Sequence, residues 1–269
     1  MTKFTSCTTF LLTLLFSMAG QSRGSEPVPL VMADLAHAAS PDERTVLDRG
    51  PKGFSRLWKA FAHSACKIQV NRDRFSPAAL STVDILLITT IAPGKPLTAE
   101  ERSALKAKIN AGTTLLLTNN DLSREGIAAW AELAEQFGIQ THGSVTRITG
   151  ESADRRWHVS RYSGGVLTRW LGKLEDGPLY FHGTAAAPID GTVLVSYDGV
   201  SLAARKQLGR GSVYVFGSGD MIGNALAAPE PPENYDRQQQ SLLNSRLIEA
   251  LVQELLAGVH KPATDSSRQ

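Results

Sequence analysis

Asp34 and His37 stand three positions apart where a short apolar run, residues 28–33, gives way to polar chain. A carboxylate and an imidazole at the mouth of a buried strand suit two tasks, holding a divalent cation or activating a water molecule. Three more places offer related groups. Thr89 and Thr90 follow the apolar residues 83–88, and Asn119, Asn120 and Asp121 follow residues 113–118. Ser218, Asp220 and Asn224 follow the run Val213 to Phe216. If these runs are parallel strands, all of these side chains reach one edge of a sheet, where open α/β sheets bind their ligands. Asp34, His37 and Asp220 are then the catalytic candidates, as an acid–base set or, with Asp121, as metal ligands. Asn119, Asn120, Asp121, Ser218 and Asn224 are the ligand-binding candidates. The spacing of Asp34 and His37 matches no recognised metal motif and no zinc signature occurs, so no metal is assigned. Asp and Asn at strand ends also cap helices and hold turns, which accounts for Asp121 and Asp220 without chemistry.

Several reaction classes lack their essential residue. Cys7 belongs to the N-terminal segment 1–24, which leaves Cys66 alone, between a helix over 54–65 and a strand over 67–71. A small buried apolar role suits it better than a nucleophilic one. No Gly-x-Ser-x-Gly elbow is present. Gly217-Ser-Gly219 lacks the later glycine and acid of a dinucleotide fingerprint, and there is no Walker loop, so no cofactor is expected. Trp157, His158, Tyr162 and Trp170 could stack on a sugar or close a small satellite core.

The elements that would position these groups follow from periodicity. Phe54, Leu57, Trp58 and Phe61 form an i, i+3, i+4, i+7 stripe, the mark of an amphipathic helix. Ile68 and Val70 alternate with polar neighbours as in a strand. Ser76-Pro77 opens a short helix, with proline where its missing N–H does no harm. Thr98-Ala-Glu-Glu101 is a capping box, and the helix it starts runs through Leu105 and Ile109 to Gly112. Another helix begins at Ser123 and carries Ile127, Trp130, Leu133, Ala134 and Phe137 up to Gly138. Alternating strands and helices with short connections predict right-handed crossovers and a mostly parallel sheet covered on both faces. Residues 141–190 break that rhythm and are expected to form an irregular elaboration. Strands over 192–197 and 201–207, with Asp198-Gly199 between them, then lead as an antiparallel meander into Gly211 and Val213 to Phe216. Residues 242–256 form a terminal helix.

The ends and the composition bound the function. Lys3, the apolar residues 10–18 and the small residues Ala19 and Gly20 have the order of a secretory leader over 1–24, cleaved near 19–24. The mature chain would then be periplasmic or secreted, with a single α/β domain over 25–260 and a disordered tail over 261–269. One cysteine leaves no internal disulfide, so stability must come from packing. With 42% hydrophobic and 20% charged residues a full core is available. A net charge of +2 with no basic stripe argues against nucleic acid, and no later run is long enough to span a membrane.

The phrases Asp34-Leu-Ala-His37, Gly53-Phe-Ser-Arg-Leu-Trp58, Leu97-Thr-Ala-Glu-Glu101, Gly112-Thr-Thr-Leu-Leu-Leu-Thr118 and Gly209-Arg-Gly211 to Asn224 occur in an order that resembles a known family. The chain from about Val28 to Leu256, excepting the irregular region over 141–190, is similar to the DUF4350 type of domain, a branch of the class I glutamine amidotransferase-like, flavodoxin-like fold. The resemblance implies a three-layer sandwich around a mostly parallel sheet, with the antiparallel meander added. Related domains serve in transporter-associated and protein-assembly settings, often without catalysis. A true amidotransferase carries a cysteine on a tight elbow after the strand that here ends at Thr118. This chain has Asn119-Asn120-Asp121 there, and Cys66 is on another element. The expectation is therefore a non-catalytic module that binds a small-molecule ligand or a partner protein in the cell envelope. The alternative is a hydrolase using Asp34, His37 and Asp220, with or without the assistance of a metal.

Overall fold

The computed structural model describes residues 27–40, 42–50, 53–118, 124–141, 186–188, 190–197, 200–217, 219–224 and 236–259. The expected leader over 1–24, Asn119, Asn120, Asp121, Ser218, the region from Trp157 to Trp170, the expected turn at Asp198-Gly199 and the expected tail over 261–269 lie outside the described residues.

Seven strands make the main sheet, in the order β2-β1-β3-β4-β9-β8-β7. Five run parallel: β2 (Lys67–Asn71), β1 (Leu30–Asp34), β3 (Ile85–Ile88), β4 (Thr114–Thr118) and β9 (Gly211–Phe216). The strands β8 (Val200–Leu208) and β7 (Thr192–Tyr197) continue it antiparallel. A separate two-stranded antiparallel ladder pairs β5 (Ile139–Thr141) with β6 (Ala186–Pro188).

Successive residues of the central strands point to opposite faces, and each face has its own core. Val31, Ala33, Ile85, Leu87, Leu116, Tyr214 and Phe216 look one way, onto helices α1 (Ser55–Ala62) and α5 (Asp236–Val259). Met32, Leu86, Ile88, Leu115, Leu117, Val213 and Val215 look the other way, onto α3 (Ala99–Asn110) and α4 (Arg124–Gln136), with Leu80 of the short α2 (Pro77–Leu80) at the margin. The result is the three-layer α/β/α sandwich with a mostly parallel sheet and an antiparallel meander expected for a flavodoxin-like chain.

Local signals set most of the boundaries. Ser76 Oγ accepts from Ala79 N, capping α2 with Pro77 in its first turn. Thr98 and Glu101 form both halves of the capping box of α3. Helix α1 ends at Ala62, three residues earlier than its sequence suggests, because two side chains compete for its last carbonyls. Ser64 Oγ donates to Ala60 O at 2.9 Å and Cys66 Sγ donates to Phe61 O at 3.0 Å. Helix α5 begins at Asp236, before its apolar stripe starts, since the opening Asp-Arg-Gln-Gln-Gln is polar yet compatible with helix. The tight β8–β9 turn needs its glycines. Gly209 has φ +56°, and a Cβ there would sit 2.6 Å from Asn110 O. A Cβ on Gly211 would collide with the carbonyl oxygens of Ile109 and Thr113.

Candidate functional site

Strand order reverses between β1 and β3, because the chain goes from β1 outward to β2 and then returns across to β3. At such a reversal the loops diverge and normally leave a crevice outside the strand ends. Asp34 closes β1 at this point, and Thr89 and Thr90 follow β3. The structure brings these expected residues together, but it does not leave them open.

Asp34 Oδ2 lies 2.8 Å from His37 Nδ1, and both residues are only 2% exposed. Asp34 Oδ1 accepts from Ala36 N at 3.2 Å and from Asn71 Nδ2 at 3.4 Å. The opposite ring nitrogen of His37, Nε2, faces Glu101 Oε1 at 3.2 Å. That nitrogen makes no aligned hydrogen bond, so the contact acts through charge and not through a directed N–H. The ring of Phe75 packs beside the imidazole, centroids 5.1 Å apart.

Glu101 is the residue that sequence reasoning assigned a smaller task than it performs. Its Oε2 accepts from Thr98 N at 2.8 Å, which completes the capping box, and from Arg74 Nη1 at 2.9 Å. Its Oε1 accepts from Phe75 N at 2.9 Å. Burial alone would raise this carboxyl, but the Thr98 and Phe75 amides, His37 and Arg74 overcome it and hold the pKa down to about 2. Burial likewise pushes the His37 imidazole down, yet the Asp34 hydrogen bond and the Asp34 and Glu101 charges outweigh it and raise the pKa above 6.5. The two flanking carboxylates thus favour the imidazolium more than water does for a free histidine. Because the two carboxylates sit on opposite sides of the ring, they do not converge on a common point. Among the described residues no group of three or more His, Cys, Asp or Glu side chains could hold a metal ion.

The chain between β1 and α1 covers what would be the crevice. Ala92 N donates to His37 O at 2.8 Å, and Lys95 Nζ donates to Ala38 O at 2.9 Å. Thr90 Oγ1 reaches Arg44 O at 2.8 Å, and Thr89 Oγ1 reaches it at 3.4 Å. Arg44 itself has φ 55°, the one non-glycine in the left-handed region among the described residues. A residue held there is over-determined by its surroundings. Here the loop bends so that one carbonyl meets both threonines.

Asn224, a ligand-binding candidate from the sequence, instead fastens the far end of this loop. It is 1% exposed, and its Nδ2 donates within 2.9–3.0 Å of Asp48 O, Gly50 O and Ser55 Oγ. Its Oδ1 accepts from Arg56 N at 3.0 Å in the first turn of α1, and its own N–H donates to Gly53 O at 2.8 Å. This arrangement fills the amide's bonding capacity and replaces a local cap, since Phe54 at the start of α1 offers no side-chain acceptor. Asp220 lies in the short 3-10 turn Gly219–Met221 that leads to Asn224. Cys66 is half-buried against the α1–α5 core, and burial pushes its thiol pKa up, away from a reactive thiolate.

No protein-family model matches the chain, and no curated protein matches it. Solved structures do. The mmIFT52 N-terminal domain is similar with a TM-score of 0.57 at 18% identity, over 84% of this chain and 97% of that one. A cytoplasmic protein from Salmonella typhimurium LT2 gives 0.51 at 13% identity, over 85% and 99%. The cold-adapted β-galactosidase from Rahnella sp. R3 gives 0.50 at 14% identity, over 86% of this chain but 31% of the enzyme. At these identities the likeness is one of fold, and it places this chain among flavodoxin-like α/β sandwiches.

Proposed function

We propose that this chain is a non-catalytic binding module, exported by its leader, that takes a small-molecule ligand or a partner protein in the cell envelope. The observation that carries the reading is the state of the strand-end crevice. Asp34 and His37 are shut from solvent, locked to Glu101 and Asn71, and covered by the chain's own loop through Thr90 and Arg44. A general base must come within hydrogen-bond reach of the proton it removes, and these groups are spent on one another. The absence of a cysteine or serine in Asn119-Asn120-Asp121 after Thr118 supports the same reading, as does the order of phrases that resembles the DUF4350 type of domain.

Purified full-length and leader-processed protein, assayed on chromogenic esters, phosphate esters and glycosides, should give no turnover above a heat-denatured control. Turnover abolished in both Asp34→Asn and His37→Gln variants that still fold would overturn the reading in favour of the hydrolase. Export has its own check. N-terminal sequencing of protein recovered from the periplasm should begin between residues 19 and 25, and retention of residues 1–18 in a cytoplasmic pool would defeat it.

A further inference from the structure

The first face of the sandwich carries a groove of about 470 Å³ between α1 and α5. Helix α1 contributes positions 56, 59 and 60, the turn that follows it contributes 63 and 64, and α5 contributes 245, 248, 249, 252 and 253. Each set has the spacing of a single helical stripe, so the groove is the seam where two stripes face each other beside the packed core. Its volume falls in the range of small-molecule sites, about 300–1,000 Å³.

The chemistry of the two walls is unequal. Arg56, Lys59 and His63 line the α1 side one turn apart, and Ala60, Ile248 and Val252 make an apolar floor. Arg56 Nη1 is shut off from solvent and has no hydrogen-bond partner among the described residues. A guanidinium N–H in that condition forfeits water without gaining an acceptor, and a rotation of the Arg56 side chain that turned it toward an oxyanion in the groove would gain a charge-assisted bond. Glu249 stands on the α5 wall. Among the described residues it makes no ion pair with Arg56 or Lys59, so these two cations of α1 are not neutralised from within.

We propose that this groove binds a small organic oxyanion, a carboxylate or phosphate monoester, with its charged group on Arg56 and Lys59 and its carbon body on Ala60, Ile248 and Val252. Glu249 disfavours a second negative charge at the far end of the ligand, which selects compounds with one anionic end. The inference deepens the binding-module reading and rests on it.

The test is titration of the leader-processed protein with phenyl phosphate, butyrate, inorganic phosphate and neutral benzyl alcohol, followed by calorimetry and by NMR. Phenyl phosphate or butyrate should bind saturably and shift resonances of α1 and α5, and which of the two binds tighter separates the phosphate from the carboxylate source. Arg56→Gln should weaken binding by about tenfold or more, as the loss of a charge-assisted bond requires. Glu249→Gln should tighten it. Melting temperatures of both variants serve as the folding control. No saturable binding of either organic anion overturns the site, as does binding unchanged in Arg56→Gln and Lys59→Gln. Inorganic phosphate binding as tightly as phenyl phosphate also overturns it, because the apolar floor would then contribute nothing. Failure of the groove leaves the absence of turnover to be judged on its own, whereas turnover lost in Asp34→Asn defeats the module reading whether or not the groove fills.

Discussion

Glu101 caps its own helix at Thr98 and, with the other oxygen of the same carboxylate, faces His37 Nε2 across 3.2 Å. One side chain thus joins the start of α3 to the end of β1, and Arg74 and the Phe75 amide bring in the chain after β2. The strand ends are held by a buried array of charged groups, Asp34–His37–Glu101, each residue only 2% exposed.

Removing Glu101 should therefore cost far more than removing a helix cap. Breaking a buried ion pair leaves its partner uncompensated and costs about 3–5 kcal/mol, whereas losing a cap costs about 1 kcal/mol. Urea denaturation at neutral pH should place Glu101→Gln well below Thr98→Ala in stability. Equal losses in the two variants would show that His37 and Arg74 contribute nothing to the role of Glu101.

The acid limb of stability should carry the signature of the same carboxylate. Its folded pKa, about 2, lies below the ordinary 4.5, so the stabilisation is present above pH 4.5 and disappears as pH falls from there toward 2. Stability measured by denaturant across that window should fall steeply in the parent protein and less so in Glu101→Gln. A parallel course in both would contradict the assignment.

His37 has the opposite sign. Its folded pKa is raised above 6.5, so its contribution is complete below 6.5 and is lost as pH rises through the folded value. The two contributions are therefore both complete between pH 4.5 and 6.5. The imidazole C–H resonance of His37 should titrate with a midpoint above 6.5, and in Asp34→Asn the midpoint should fall. A midpoint below 6.5 in the parent protein would show that burial, and not the carboxylates, governs the ring.

Asn224→Ala should loosen the loop over residues 42–50 and the start of α1 together, because one amide serves both. Several buried partners are orphaned at once, at about 1–3 kcal/mol for each unsatisfied group, partly offset by water entering. Limited proteolysis should reveal new cleavage in that loop in the variant. Loss of global stability with an unchanged cleavage pattern would place the effect elsewhere.

Much of the architecture could be read in the sequence because its signals are local. The capping box at Thr98, the cap at Ser76, the apolar stripe of Phe54 to Phe61 and the buried runs of β3 and β4 each declare themselves within a few residues. The site was half legible. Asp34 and His37 are neighbours in sequence, and their pairing was visible as a possibility. Glu101 was fully accounted for by its local cap, so nothing in its surroundings hinted at a second, tertiary duty. Asn224 presented the composition of a ligand contact, and its partners lie in a loop from the other end of the chain, which no periodicity encodes. Strand β2 shows the same limit. Its alternation gave a strand, but Ile68 is 39% exposed because β2 forms the sheet's edge, and edge position is a property of topology.

The seating of β9 beside β4 has a consequence for how the molecule comes into being. During synthesis the β1–β4 half can gather its local crossovers early, but the open hydrogen-bonding margin of β4 must wait until Gly211–Phe216 has emerged. Until then Leu115, Leu116 and Leu117 border an unpaired edge, the kind of template that recruits other chains. Pairing of distant segments is slow, so yield of native protein should be limited by the lifetime of that half-built sheet, and a holdase that shields β4 would raise it.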